Sequence, residues 1–155
     1  YNDMGKYKEA KEVYQQALSR QKNSPGQIDP FVKGKIANMY AEIGDVFAST
    51  GMLEEAVGEY RRALALCPQF HDIRMKLADA CRDRGEHTEA LAQFEELLKT
   101  NPHYLPGRVH YGIALYSAGR REDAVKTWED VLSRNPGNRS AEMYLSLVKD
   151  AGKTP

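Results

Sequence analysis

The chain has few residues of the kinds that define several protein classes. Its two cysteines, Cys67 and Cys81, are too few for a disulfide framework, so we interpret them as buried apolar groups in a reduced, cytoplasmic protein. No apolar run approaches the roughly 20 residues that span a bilayer, and no basic-then-apolar leader opens the chain. The 22 basic and 22 acidic residues balance. This argues against nucleic acid and membrane partners, because both favour a basic excess.

Clusters of residues that carry chemistry are also scarce. The four histidines lack i, i+4 spacing and cysteine neighbours at ligand spacing, so we predict no metal site: His71, His87, His103 and His110. A Gly-Lys-Thr run near the end has Leu147 where a phosphate-binding loop needs its first glycine, and we interpret it as a frayed tail. No nucleophile and base are suggested. We therefore predict no enzyme activity and no cofactor.

Internal repetition, by contrast, is extensive. Gly51, Gly85 and Gly119 stand 34 residues apart. The same period relates four further sets: Ala56, Ala90 and Ala124; Tyr60, Phe94 and Trp128; Leu64, Leu98 and Leu132; Pro68, Pro102 and Pro136. Several positions that share one period indicate a structural repeat.

One period predicts two antiparallel helices. Between Phe70 and Pro102, two apolar stripes at helical spacing are separated by Gly85. Glycine readily takes the left-handed conformation beyond a helix end, and Asn101-Pro102 ends the second helix. Small residues in both helices should let the backbones approach closely: Gly44, Ala78, Gly112, Ala56, Ala90 and Ala124. We expect the large aromatics to fill the space on the other side of that contact.

The pattern resembles the tetratricopeptide repeat family. Residues 37–70 match it best, at Tyr40, Ile43, Gly44, Phe47, Ala56, Tyr60, Ala63 and Pro68. Arg74 and Arg108 stand where the family usually has a large apolar residue, which we interpret as family drift. The resemblance implies an all-α fold, a right-handed superhelical array of antiparallel helix pairs.

The repeat predicts the organisation of the whole chain. The units are 1–24 (second helix of a truncated repeat), 25–36 (insertion and helix extension), 37–70, 71–104 and 105–138 (full repeats), and 139–155 (capping helix and tail). Asp29-Pro30 should open a long helix that runs to Thr50, and Asn138 should cap the last helix. Because Tyr1 rather than Met comes first, we expect a piece of a longer protein.

By resemblance, the chain is a protein-interaction module, an adaptor or scaffold that binds a peptide or partner segment in a concave groove. The family pattern places these partner-binding candidates there: Asn38, Glu42, Asp45, Lys76, Asp79, Arg82, Asp83, Val109, Ile113 and Tyr116. The early groove is expected to be largely acidic and the late groove apolar, which favours a ligand with basic and apolar parts. The alternative is that these carboxylates form only a solvated surface. Ala41 and Asp45 replace the Lys and Asn with which one family branch grips a terminal carboxylate. The family pattern also places Leu147 of the last helix on the groove, but we favour packing against the terminal helix for this side chain.

The alternative is a structural module that assembles through its open N-terminal edge. The stripe with Tyr7 and Tyr14 should face a missing partner helix, and exposed apolar surface of this kind is normally covered. The long helix could fold back on it, upstream residues could cover it, or a second copy could pair with it. We favour the second copy, as a two-fold homodimer.

Overall fold

Eight α-helices form the part of the chain that the computed structural model describes, residues 2–21 and 28–152, and no strand occurs there. In order they are α1 (Asn2–Gln21), α2 (Pro30–Ser49), α3 (Leu53–Leu66), α4 (His71–Asp83), α5 (His87–Thr100), α6 (Leu105–Ser117), α7 (Arg121–Arg134) and α8 (Arg139–Ala151). In α1, side chains are described for residues 5–16. Most of the predicted insertion loop and the end of the predicted tail lie outside the described residues. The all-α prediction is confirmed.

The helix pairs turn at glycine, as predicted. Three glycines have positive φ angles: Gly51 (80°), Gly85 (83°) and Gly119 (84°). In the first turn the Met52 N–H donates to the Phe47 carbonyl at 2.9 Å, and the equivalent bond recurs in the other two turns. This bond satisfies a carbonyl that the end of the helix leaves without a partner, and it requires a left-handed residue at the glycine position.

Two predicted helix starts are confirmed. The Asp29 carboxylate accepts a hydrogen bond from the Phe31 N–H at 2.9 Å, with Pro30 as the first residue of α2. At the other end of the chain, the Asn138 side-chain oxygen accepts from the Ala141 N–H at 2.9 Å. Each cap satisfies a donor that has no partner within its helix.

The chain divides into two compact units, residues 1–80 and 81–155, with the boundary inside α4. In the first unit, α2 packs against α1 and α3; in the second, α6 packs against α5 and α7, and α7 packs against α8. The second unit has a core of Val109, Leu115, Ala124, Trp128, Val131, Ala141, Leu145 and Val148. Cys67 and Cys81 form no disulfide and are buried, as predicted.

The N-terminal edge is partly covered by α2. Ala10 in α1 is fully buried and Tyr14 is half-buried, while Tyr7 stays 42% exposed. Packing of α1 against α2 therefore accounts for part of the apolar stripe that the sequence left without a partner. Pairing with a second copy through this edge stays a prediction, as do the boundaries of the individual repeats.

Aromatic rings lie directly on the glycines of the first helices. A Cβ added to Gly44 would come within 2.6 Å of Tyr60 Cε1, and one added to Gly112 within 2.6 Å of Trp128 Cε2. We expected these rings to lie on the side of the helix contact away from the small residues. That expectation was wrong, because the rings of Tyr60 and Trp128 occupy the space that is open where glycine has no side chain. The second-helix alanines are fully buried, as predicted: Ala56, Ala90 and Ala124.

Two arginines tie helices to the preceding loop. Arg74 Nη2 donates to the Pro68 carbonyl at 3.0 Å, and Arg108 Nε donates to the Pro102 carbonyl at 2.5 Å. Arg108 Nη1 also reaches Asp130 Oδ2 at 2.8 Å. The interpretation of these arginines as drift is therefore incomplete, since both satisfy a carbonyl six residues back.

A buried acid lies in α3. Glu59 is 5% exposed; its Oε1 pairs with Arg62 Nη1 at 2.5 Å, and its Oε2 has no hydrogen-bond partner among the described residues. Burial raises the pKa of Glu59 more than Arg62 lowers it. Thirty-four residues on, Gln93 holds the equivalent position, and its Nε2 donates to Glu89 Oε1 at 2.9 Å. Burial of Glu59 therefore makes its charged form less favourable in the folded chain than in the unfolded chain.

We expect Glu59→Gln to stabilise the chain at pH 7 by roughly 1 kcal/mol, because a buried group without a full set of partners is costly. A raised native pKa means that wild-type stability falls as pH rises from the usual value of 4.5 through the native pKa. The gain should therefore shrink as the pH falls through that window. Urea unfolding at several pH values measures it, with exposed Glu129→Gln as the control. Equal gains at pH 4 and pH 7 would contradict the assignment.

Candidate functional site

The polar candidates of the first unit are linked to one another. Asp45 in α2 accepts the Tyr60 hydroxyl at 2.8 Å through one carboxylate oxygen and Lys76 Nζ at 2.8 Å through the other. Burial, then the hydrogen bond to Asp45, raises the pKa of Tyr60, and the charge of Asp79 adds to the effect. Asp45 and Asp79 thus both lie near this hydroxyl. The predicted approach of Asp83 to them stays a prediction.

The remaining polar candidates are also largely paired. Glu42 forms an ion pair with Lys6 at 3.6 Å, and Asp83 forms one with Arg82 at 3.1 Å, while Asn38 is exposed on α2. The expectation of a largely acidic surface therefore needs correction, because three of its carboxylates, the two above and Asp45, have basic partners close by. These pairs are partly exposed, and each contributes little to stability.

The apolar candidates separate by burial. Val109 is only 4% exposed and belongs to the core of the second unit, so little of its side chain is left for a ligand to contact. Ile113 is half-buried and Tyr116 is 43% exposed, both in α6. Leu147 in α8 is 59% exposed, so the favoured expectation that it packs against the terminal helix was wrong.

Ile113, Tyr116 and Leu147 line an apolar cleft of about 230 Å³. Its lining comes from α6, α7 and α8: Ile113, Tyr116, Trp128, Tyr144, Leu147 and Val148. The large apolar side chains that remain exposed in the second unit, Tyr116, Met143 and Leu147, all belong to α6 and α8. We call this depression the apolar cleft.

The floor of the apolar cleft is rigidly held. Trp128 is 1% exposed, its Nε1 donates to the Val109 carbonyl at 3.0 Å, and its ring stacks on Tyr144 with centroids 5.3 Å apart. Arg121 Nη2 donates to the Val148 carbonyl at 2.7 Å and so ties the end of α8 to α7. The helices that line the cleft are therefore fixed by hydrogen bonds as well as by packing.

A second depression, of about 180 Å³, lies between the beginnings of α6 and α8. It is lined by Leu105, Pro106, Val109, His110, Asn138 and Ser140. Three of these six side chains are polar, whereas the apolar cleft is lined mainly by hydrocarbon and aromatic rings. We call this second depression the polar depression.

Comparison with known sequences settles the family. Two profiles, each described as tetratricopeptide repeat, match the chain: one at residues 82–147, the other at residues 2–69 and 42–104. The chain belongs to the tetratricopeptide repeat (TPR) family. Among curated protein sequences, none matches this chain.

Solved TPR structures share the fold. The chain is similar to the first TPR of Spaghetti (RPAP3), solved with the HSP90 peptide SRMEEVD, at 21% identity and a TM-score of 0.69 over 78% of this chain and 96% of that one. It is also similar to the second TPR domain of human RPAP3, solved with the HSP70 peptide SGPTIEEVD (23%, 0.67, 78% and 98%). YrrB, a TPR protein with an unusual peptide-binding site, is a third (17%, 0.64, 74% and 63%). These likenesses confirm the predicted TPR solenoid.

Sequence reasoning missed two parts of the site in this TPR chain. Trp128 and Val148 line the apolar cleft, but the repeat pattern presents Trp128 only as a core aromatic. Among the residues whose side chains are described, 5–16 and 28–152, no group of three or more metal-ligating side chains comes together. Within residues 2–21 and 28–152, no helix is both long and apolar enough to cross a membrane.

Proposed function

We propose that this TPR chain is a protein-interaction module, an adaptor or scaffold, that binds a peptide segment of a partner between α6 and α8. A bulky apolar side chain of the segment enters the apolar cleft. The observation that carries this proposal is the grouping of Tyr116, Met143 and Leu147 on these two helices, since exposed apolar patches mark interaction sites. The role is non-catalytic.

The similar structures support peptide binding as a use of this fold. Both RPAP3 domains were solved with peptides that end in EEVD. This chain carries Ala41 and Asp45 where the carboxylate-gripping branch has Lys and Asn, and its Asp45 already pairs with Lys76. The apolar cleft in the second unit is therefore the better candidate for the binding site.

Leu147→Glu should weaken peptide binding at least about tenfold, because it places a carboxylate in the centre of the apolar contact. Peptides selected from a displayed library of random dodecapeptides, then labelled with fluorescein, provide the probes for anisotropy titrations. Stability should stay within about 0.5 kcal/mol of wild type, since Leu147 is largely exposed.

Met52→Glu is the matched control. Met52 precedes α3 in the first unit, far in sequence from the apolar cleft, and its side chain is 44% exposed. Met52→Glu therefore introduces the same charge as Leu147→Glu on a similarly exposed side chain. Selected peptides that bind Leu147→Glu as tightly as wild type would refute the proposal.

A further inference from the structure

The exposed face of α8 carries a row of side chains with opposite charges at its two ends. Arg139, Met143, Leu147 and Asp150 follow one another at helical spacing, so they share one face of a helix with about 3.6 residues per turn. All four are exposed, Met143 at 49% and Leu147 at 59%. We call this row the α8 stripe.

The charges at the ends of the α8 stripe are not used within the part of the chain that the structure describes. There, neither the Arg139 guanidinium nor the Asp150 carboxylate has an ion pair or a hydrogen bond. The other charged side chains of α8, Glu142 and Lys149, lie about 100° around the helix from the centre of the stripe, because each residue advances about 100°. The stripe therefore has a positive beginning, an apolar middle and a negative end.

This order of side chains is complementary to itself in an antiparallel pair of α8 helices. Reversal of the second helix brings Arg139 beside the partner's Asp150 and Met143 beside the partner's Leu147. Two-fold symmetry forms each of these contacts twice. A parallel pair would instead place like charges side by side. Charge patterns of this kind select both the partner and its orientation.

We propose that two copies of this chain pair through antiparallel α8 helices, and that pairing and peptide binding exclude each other. Leu147 belongs to both surfaces, because it lies in the middle of the α8 stripe and also lines the apolar cleft. A second α8 helix on the stripe buries the side chain that a peptide in the cleft contacts. The exclusion rests on the proposed function, whereas the pairing does not. Self-association thus regulates access to the cleft.

The association should be weak and reversible. The contact is confined to one face of a 13-residue helix, which is about 20 Å long. Such a face offers less than the roughly 1,200 Å² of total buried surface that stable complexes need. We therefore expect monomers at about 5 µM and a rising fraction of dimers towards about 500 µM, which corresponds to a weak, transient interface.

Sedimentation equilibrium of charge variants tests the pairing. Arg139→Glu opposes like charges in both symmetry-related pairs and should weaken association roughly tenfold. Addition of Asp150→Lys to this variant reverses both ends of the stripe, so an antiparallel dimer should form again. Both new charges suit their helix ends, so the variants should stay folded. Lys126→Glu makes the same charge change on an exposed residue of α7 and should leave association unchanged.

The exclusion is tested on the wild-type chain at about 500 µM, with and without a saturating amount of a peptide selected on the whole chain. The peptide should reduce the sedimenting mass to that of one chain with one peptide. A dimer that keeps its mass with peptide bound would overturn the exclusion.

The two proposals fail in different ways. A chain that stays monomeric up to about 500 µM would overturn the pairing, and so would a dimer that ignores Arg139→Glu. Loss of association in Tyr14→Glu alone would assign the contact to the N-terminal edge instead. Each of these results leaves the proposed function standing if peptide binding depends on Leu147. Peptides that ignore Leu147→Glu would refute the proposed function and leave the pairing standing.

Discussion

Trp128→Ala should lower the free energy of unfolding by roughly 3–5 kcal/mol, the largest effect expected of any single change considered. The substitution empties a fully buried site, removes the ring that stacks on Tyr144 and leaves the Val109 carbonyl without its donor. Small domains are stable by only about 5–15 kcal/mol, so this unit should unfold at a much lower urea concentration.

Far-UV circular dichroism is the suitable signal for this measurement, because Trp128 is the single tryptophan of the chain and its fluorescence is lost in the variant. Glu129→Ala, the exposed next residue, controls for the change to alanine in α7 and should stay within about 0.5 kcal/mol of wild type. A urea midpoint for Trp128→Ala close to that control would show that the ring does not hold this core together.

Two glycine-to-alanine changes should have opposite signs. Gly112→Ala should destabilise by roughly 1–3 kcal/mol, because its Cβ would overlap the buried Trp128 ring. Gly58→Ala should stabilise by roughly 0.5–1 kcal/mol, because its Cβ meets nothing within 4 Å in α3 and alanine favours the helix.

The same urea experiment measures both glycine variants, and each serves as the control for the other. Helix propensity rises in both, so their difference isolates the contact between Gly112 and the ring of Trp128. If Gly112→Ala proved as stable as wild type, the ring would have to shift at almost no cost, and the close approach would have no energetic weight.

The fold was predictable because its signals are local and recur. A left-handed residue at Gly85, a proline after Asn101 and apolar stripes between them depend on short stretches of sequence, and each is repeated at the 34-residue period. Where the pattern of one repeat is ambiguous, the equivalent positions of the other repeats indicate where its helices begin and end. The direct contact of Tyr60 with Gly44 was harder to foresee, since it depends on where the side chain of one helix meets its partner.

The site was less predictable because it depends on packing between helices. Val109 and Ile113 are one turn apart on the same helix, yet Val109 is buried in the core and Ile113 borders the cleft. Likewise, the sequence presents Asp45 as an acid, and only the fold brings Lys76, 31 residues away, within 2.8 Å. Helix position alone does not separate such cases.

The arginine ties have a consequence for how this chain can change length. Arg74 and Arg108 each donate to a proline carbonyl six residues back, so the tie has the same period as the repeat. Excision of residues 71–104 would place Arg108 six positions after Pro68, where it could form the same bond. Duplication of that block would create another tie of the same kind. A 34-residue repeat can therefore be gained or lost here while each proline carbonyl keeps an arginine donor. This is a physical basis for growth of the array by duplication.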